Sequence, residues 1–183
     1  MGCMHGGRGC AITTLMLLPR SRYDEGVELL KTASENWSYG DPNDAANLQG
    51  PLINARQRER VLGHIEKAKA DGARLLVGGG RPAHLEKGFY VEPTLFVDVD
   101  PDSALAQEEV FGPVLAVIPY DDDDDAVAIA NDSDYGLSGY VWGGSGARAA
   151  AVAKRLRPGR AHPNGRGTAL APPSGAHTRP RHR

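Results

Sequence analysis

Gln107-Glu108-Glu109-Val110-Phe111-Gly112-Pro113-Val114-Leu115-Ala116-Val117-Ile118-Pro119 sets a polar turn against an apolar run, and that run decides the fold. Val114 to Pro119 is bounded by Gly112-Pro113 on one side and by five aspartates, Asp121 to Asp125, on the other, which is the punctuation of a buried strand. A helix is predicted at Asp124 to Asn131, a strand at Gly139 to Trp142 and a further helix at Gly146 to Leu156. The same alternation runs upstream. Ile12 to Leu18 reads as a strand stopped by Pro19, and Ser21-Arg22-Tyr23-Asp24 offers an N-cap for a helix whose buried face carries Tyr23, Val27 and Leu30 and which frays near Asn36. Asn54 is placed to cap a second helix in which Val61, Ile65 and Ala68 form the apolar stripe, and Gly72 is placed to end it in the left-handed conformation. Strands are expected at Arg74 to Val77, Phe89 to Val91 and Thr94 to Val97. Helices interleaved with β-branched runs predict an α/β fold, with a largely parallel sheet flanked by helices.

A length of 183 residues suits one domain, and a composition 40% hydrophobic and 24% charged is that of a globular chain. No stretch approaches the roughly 18 apolar residues that a bilayer span requires, so no membrane partner is expected. The N-terminus lacks a basic flank followed by an apolar run, which assigns the chain to the cytoplasm. Two cysteines, Cys3 and Cys10, are too few for a disulfide framework and lack the spacing of a zinc site. All 23 carboxylates lie at or before Asp134, whereas 9 of the 21 Lys and Arg residues follow it. From Pro158 onward the only large apolar residue is Leu170, and Pro, Arg, Gly and His dominate. Such a stretch buries too little apolar surface to offset the entropy of ordering it. The expected organisation is therefore a folded region over residues 1–158 and a basic, disordered C-terminal tail over 159–183, with a frameshift in GC-rich coding DNA as the explanation for the abrupt change in composition.

Cys10 is the sharpest chemical signal. A cysteine acts as a nucleophile only as thiolate, on a backbone flexible enough to let the substrate approach, and the glycines at 6, 7 and 9 supply that flexibility. On residue type alone a small buried cysteine is the commoner outcome. About a hundred residues later, Glu109 and Phe111 flank Val110 in a turn rigidified by Gly112-Pro113, which on its own is a polar turn before a strand. Gly7-Arg8-Gly9-Cys10-Ala11 together with Gln107 to Val114 resembles the nucleophile and cofactor-ribose loops of the NAD(P)-dependent aldehyde dehydrogenases. Tyr39-Gly40-Asp41-Pro42, Gly50-Pro51-Leu52-Ile53, Tyr90 to Leu95 and Ala130 to Ser138 are similar to the catalytic domain of the same family, so the resemblance runs from about Gly6 to Gly159. The family pattern Gly-Gln-x-Cys is matched at Gly7 and Cys10, with Arg8 in the glutamine place.

The resemblance implies an oxidoreductase that converts an aldehyde to an acid with NAD or NADP. Cys10 is then the nucleophile, Glu109 the acceptor for the nicotinamide-ribose hydroxyls and Phe111 the aromatic ring beside the nicotinamide. It implies a small-molecule aldehyde substrate and a homo-oligomer in the intact family. The family's dinucleotide-binding domain, its general-base glutamate and its oxyanion-hole asparagine find no match here, so the chain is expected to be inactive alone and to associate through exposed apolar surface. The alternative is a non-catalytic remnant or interaction module whose basic tail binds nucleic acid or other anions. That tail has no aromatic residues to stack single-stranded bases, and nucleic acid is not the expected partner. Asp121 to Asp125 reads as a solvated helix cap rather than a metal site, because consecutive side chains diverge. Gly78-Gly79-Gly80 reads as a loop rather than a phosphate cradle, and His64 and His84 as packing or surface residues.

Overall fold

A computed structural model describes residues 3–10 and 12–165 of the chain. The chain divides between Pro119 and Tyr120 into two compact units.

The first unit is built on a four-stranded sheet. Its strands are β1 (Leu15–Pro19), β2 (Arg74–Val77), β3 (Thr94–Val97) and β4 (Val114–Tyr120), in the order β1-β4-β3-β2. β3 and β4 run parallel, with Thr94 opposite Val114 and Phe96 opposite Ala116. β2 is an antiparallel edge on β3, with a register shift between Leu75 and Val77. Helix α1 (Tyr23–Glu35) lays Tyr23 and Val27 on Leu95, Val97 and Val117, with Met16, Leu18, Leu30 and Leu76 closing the margins. Side chains alternate along a strand, so Thr94 and Phe96 face the other way. Both are fully buried, and a strand buried on both faces reads as the continuous apolar run that Thr94–Val97 is. The Tyr23 hydroxyl accepts from the Asp98 amide at 2.7 Å, which gives this polar atom in the apolar cluster a partner.

Helix α2 (Ala55–Ala70) starts and stops on local signals. The Asn54 side chain accepts from the Gln57 amide at 2.8 Å. At the other end Gly72 has φ +91°, its amide donates to Lys69 and the Ala73 amide donates to Ala68, the paired bonds of a Schellman stop. Val61, Ile65 and Ala68 are buried along one stripe, as their spacing predicts.

The second unit holds α4 (Asp123–Asn131), β5 (Gly139–Val141), α5 (Gly146–Ala153) and β6 (Ala161–Pro163), with β5 and β6 parallel. The aspartate run caps α4. Asp122 accepts from the Asp124 and Asp125 amides, both at 2.9 Å, Asp123 forms a two-toothed pair with Arg148, and Asp124 pairs with Arg155. The Arg148 guanidinium hydrogen-bonded to Asp123 holds that carboxyl below its usual range.

Four expectations need correction. Ser21 does not cap α1: a 3-10 turn at Arg20–Arg22 precedes the helix, and the Arg22 guanidinium closes on Glu25 instead. Phe89 to Val91 is not a sheet strand, because its carbonyls are taken by the Leu52 amide and the Gln49 side chain rather than by a ladder. A short helix, α3 (Ala104–Gln107), was not anticipated; Ser103 caps it. Finally, the boundary expected at residue 159 falls within paired backbone. Ala161–Pro163 is a strand held by main-chain bonds that are indifferent to side-chain composition, and Asn164 brackets Gly143 through both its amide atoms. The rest of the expected tail, 166–183 with Leu170, lies outside the described residues.

Candidate functional site

Cys10 and the Glu109 to Phe111 loop approach the sheet from neighbouring strands. β1 follows Cys10 by five residues, β4 begins three residues after Phe111, and β1 and β4 adjoin, with the Ala116 amide donating to the Thr14 carbonyl at 2.9 Å. Sequence distance of about a hundred residues is thus cancelled by sheet order.

Gly7 makes the approach close. It has φ +68°, and a methyl group on it would collide with the Gly112 carbonyl and come within 2.8 Å of the Pro113 nitrogen. Gly112 is confined from behind by a side chain, since its own methyl would meet Val61 of α2 at 2.5 Å. Two glycines face to face let the two loops touch backbone to backbone, with α2 directly behind. Three residues beyond Gly7, the Ile12 amide donates to the Gly9 carbonyl at 2.9 Å and closes a turn with the exposed Cys10 at its corner. Ala11, the last residue of the Gly7 to Ala11 motif, lies outside the described residues. Cys3 differs in kind: burial pushes its thiol up to about 11.

Arg8 does not hang free beside the thiol. Its guanidinium donates to the carbonyls of His5 at 3.3 Å and Pro51 at 3.2 Å, at one wall of an open groove of about 560 Å3 that Leu52, Ile53 and Phe89 also line. Glu109 is exposed, and its carboxylate has no partner among the described residues; only its main-chain carbonyl is engaged. Phe111 is half-buried and sits at φ +55°, a left-handed conformation uncommon for an aromatic residue.

Two residues that sequence reasoning passed over hold this loop. Arg60 donates to the carbonyls of Val110 at 2.8 Å and Glu109 at 2.6 Å, and Gln57 donates to the carbonyl of Phe111 at 2.9 Å. A signal existed: Gln57, Arg60 and His64 recur at helical spacing beside the apolar stripe, where an all-surface face has no need of regularity. His64 lies 3.9 Å from Glu108. Burial, with the nearby Arg60 charge, lowers the His64 pKa from its ordinary 6.5.

The remaining candidates fall into structural roles. Gly78 and Gly79 have positive φ, the Gly80 amide donates to the Glu92 carboxylate at 3.1 Å, and the Gly79 amide donates to Thr94, so the triple glycine is a turn filled by the chain itself. His84 packs its ring near Tyr39, at 5.5 Å between centroids.

A family model described as the aldehyde dehydrogenase family matches residues 1–177. The chain belongs to the aldehyde dehydrogenase family. The match passes beyond Gly159, where the resemblance was expected to end. Among curated aldehyde dehydrogenases, geranial dehydrogenase of Castellaniella defragrans is 43% identical over 88% of this chain and 34% of its own length. The 3-succinoylsemialdehyde-pyridine dehydrogenase of a Pseudomonas species is 42% identical over 95% of this chain and 37% of its own. Two solved structures superpose closely. A Mycobacterium tuberculosis aldehyde dehydrogenase complexed with NAD+ gives a TM-score of 0.87 at 48% identity, covering 89% of this chain and 34% of that one. A mutant of aldehyde dehydrogenase C from Pseudomonas syringae, complexed with NAD+ and octanal, gives 0.85 at 40% identity, covering 88% and 33%. The chain spans about a third of the length of these relatives.

Proposed function

We propose that this chain supplies the nucleophile and the ribose-facing loop of an aldehyde oxidation, with Cys10, Glu109 and Phe111 in those roles. The observation that carries the reading is the Gly7 to Gly112 contact, which joins the loop bearing Cys10 to the loop bearing Glu109 and Phe111 in one unit. The residues suit a nicotinamide dinucleotide. Glu109 offers an exposed, unengaged carboxylate, an acceptor for two adjacent ribose hydroxyls, and Phe111 a ring fixed at an unusual backbone angle. NAD or NADP, when bound, accepts the two electrons and hydrogen lost by the aldehyde carbon.

The work assigned to this chain's residues begins with the Cys10 sulfur. As thiolate it forms a bond to the aldehyde carbon while the carbonyl π pair moves to oxygen, giving a tetrahedral thiohemiacetal. A position at the corner of a turn leaves the sulfur open to that approach. Departure of that carbon's hydrogen as hydride, with the oxyanion pair re-forming the carbonyl, leaves a thioester, which water opens to the acid and the free thiol. Water needs a base, and the cofactor needs a pocket to hold it close to the sulfur; both are assigned to the two thirds of the relatives' length that this chain does not span. On this reading the aldehyde is a small molecule, and the 183-residue chain alone attacks electrophiles without oxidising aldehydes.

The test pairs two measurements on the purified chain. An iodoacetamide-type label at neutral pH is expected to modify Cys10 much faster than Cys3, whose thiol burial keeps protonated. No steady NADH formation from short aliphatic or aromatic aldehydes is expected. NADH production abolished by Cys10→Ala would show that the chain completes the reaction unaided, and equal labelling of both cysteines would remove the case for Cys10.

A further inference from the structure

We infer that Arg60 and Gln57 are positioning residues that shape the Glu109 to Phe111 loop through its backbone, so that a face of α2 sets how the loop meets a nucleotide. The inference rests on reading that loop as the ribose-facing one. Three consecutive carbonyls, of Glu109, Val110 and Phe111, are all claimed by side chains of α2. In an extended strand successive carbonyls point to opposite sides, so three turned to one helix mark a forced shape. The left-handed Phe111 is where the chain makes that turn. With its carbonyls directed inward and Val110 buried, the segment leaves the Glu109 side chain outward and unengaged.

The loop has little else to hold it. Between the end of α3 at Gln107 and the start of β4 at Val114, the main-chain bonds outside regular elements leave the carbonyls of residues 109 to 111 without a backbone donor. Arg60 spans two of them with two guanidinium nitrogens, Nη1 to Val110 and Nη2 to Glu109. That is a planar fork matched to adjacent acceptors, which a lysine ammonium cannot reproduce as a pair. The backbone from which Gln57 reaches the loop is anchored, because its main-chain N–H donates to the capping Asn54 side chain. Val61, one residue beyond Arg60, closes the back of Gly112, so the same helical turn holds the loop's polar and apolar contacts.

Hydrogen exchange on the full 183-residue chain tests this. In Arg60→Ala the hydrogen-bonded amides that bracket the loop, those of Glu108 and Val114, are expected to exchange about tenfold faster, the size expected for losing bonds from a charged donor, with α1 and β3 unaffected. Arg60→Lys should lie between, and Gln57→Ala should accelerate chiefly the end near Phe111. If Arg60→Ala does not fold, the lysine and Gln57 variants carry the test. Nicotinamide mononucleotide, titrated by NMR, should bind several-fold more weakly to Arg60→Ala and be partly rescued in Arg60→Lys, with the melting midpoint held. Unchanged loop exchange in folded Arg60→Ala, or acceleration spread evenly over the first unit in every variant, overturns the inference. If the loop responds as expected while nucleotide binding is the same in wild type, Glu109→Ala and Arg60→Ala, the clamp is upheld and the cofactor reading of Glu109 and Phe111 is the part that falls.

Discussion

At the scale of single residues, the two glycines at the loop contact do different work from glycines elsewhere. Gly7 combines φ +68° with a neighbouring carbonyl where its Cβ would lie, so Gly7→Ala meets both backbone strain and overlap. The expected loss is roughly 2 kcal/mol or more in a denaturant midpoint, accompanied by slower labelling of Cys10 as the turn is pushed off Gly112. Gly63, in the middle of α2, has nothing within 4 Å of a would-be methyl. Gly63→Ala should therefore stabilise by about 0.5–1 kcal/mol, because it removes unfolded-state freedom and improves helix propensity. A Gly7→Ala chain as stable and as reactive as wild type would mean that the two loops are not in contact. Arg8, in the glutamine place of the family pattern, directs its guanidinium to the Pro51 and His5 carbonyls.

At the scale of elements, α2 links stability to pH. His64 faces Glu108 from one side and Arg60 and Lys67 from others, and burial with the neighbouring cations outweighs the carboxylate, so its pKa falls. In the unfolded chain His64 protonates near 6.5, while in the folded chain it stays neutral to lower pH. Between those values the unfolded state binds more protons, and stability must fall as pH drops from about 6.5. The melting temperature measured from pH 7.5 to 5.5 should decline, and His64→Gln should flatten part of that decline. A profile identical in the two proteins would remove His64 as its source. Asp123 in the first turn of α4 is held below the usual carboxylate range by Arg148, so it does not contribute in this window.

At the scale of the whole molecule, apolar surface remains on the first unit. Leu48 is 53% exposed, Ile53 71% and Phe89 37%, the last two lining the open groove beside Arg8. Patches of this kind promote association. Sedimentation of the isolated chain is expected to show dimers or larger species, reduced by Ile53→Lys, whereas a sharp monomer at all concentrations would contradict this. No helix among the described residues is long and apolar enough to cross a membrane. The helices and strands were legible because their signals are local. Asn54 bonds three residues ahead, Gly72 ends its own helix, and Leu95 and Val97 alternate with Thr94 and Phe96 by the geometry of a strand. Where local signals compete, sequence misled: Ser21 lost to an arginine pair, and Ala161–Pro163 became a strand because backbone pairing asks nothing of its side chains. The candidate site was half legible. Cys10, Glu109 and Phe111 stand in motifs that can be read in order along the chain. That Gly7 rests on Gly112, or that Arg60 and Gln57 hold the carbonyls of residues about fifty positions away, depends on strand order and on which face α2 turns to the sheet. Those are long-range contacts fixed by packing; the helical spacing of Gln57 and Arg60 marks a shared face of α2 but not what that face holds.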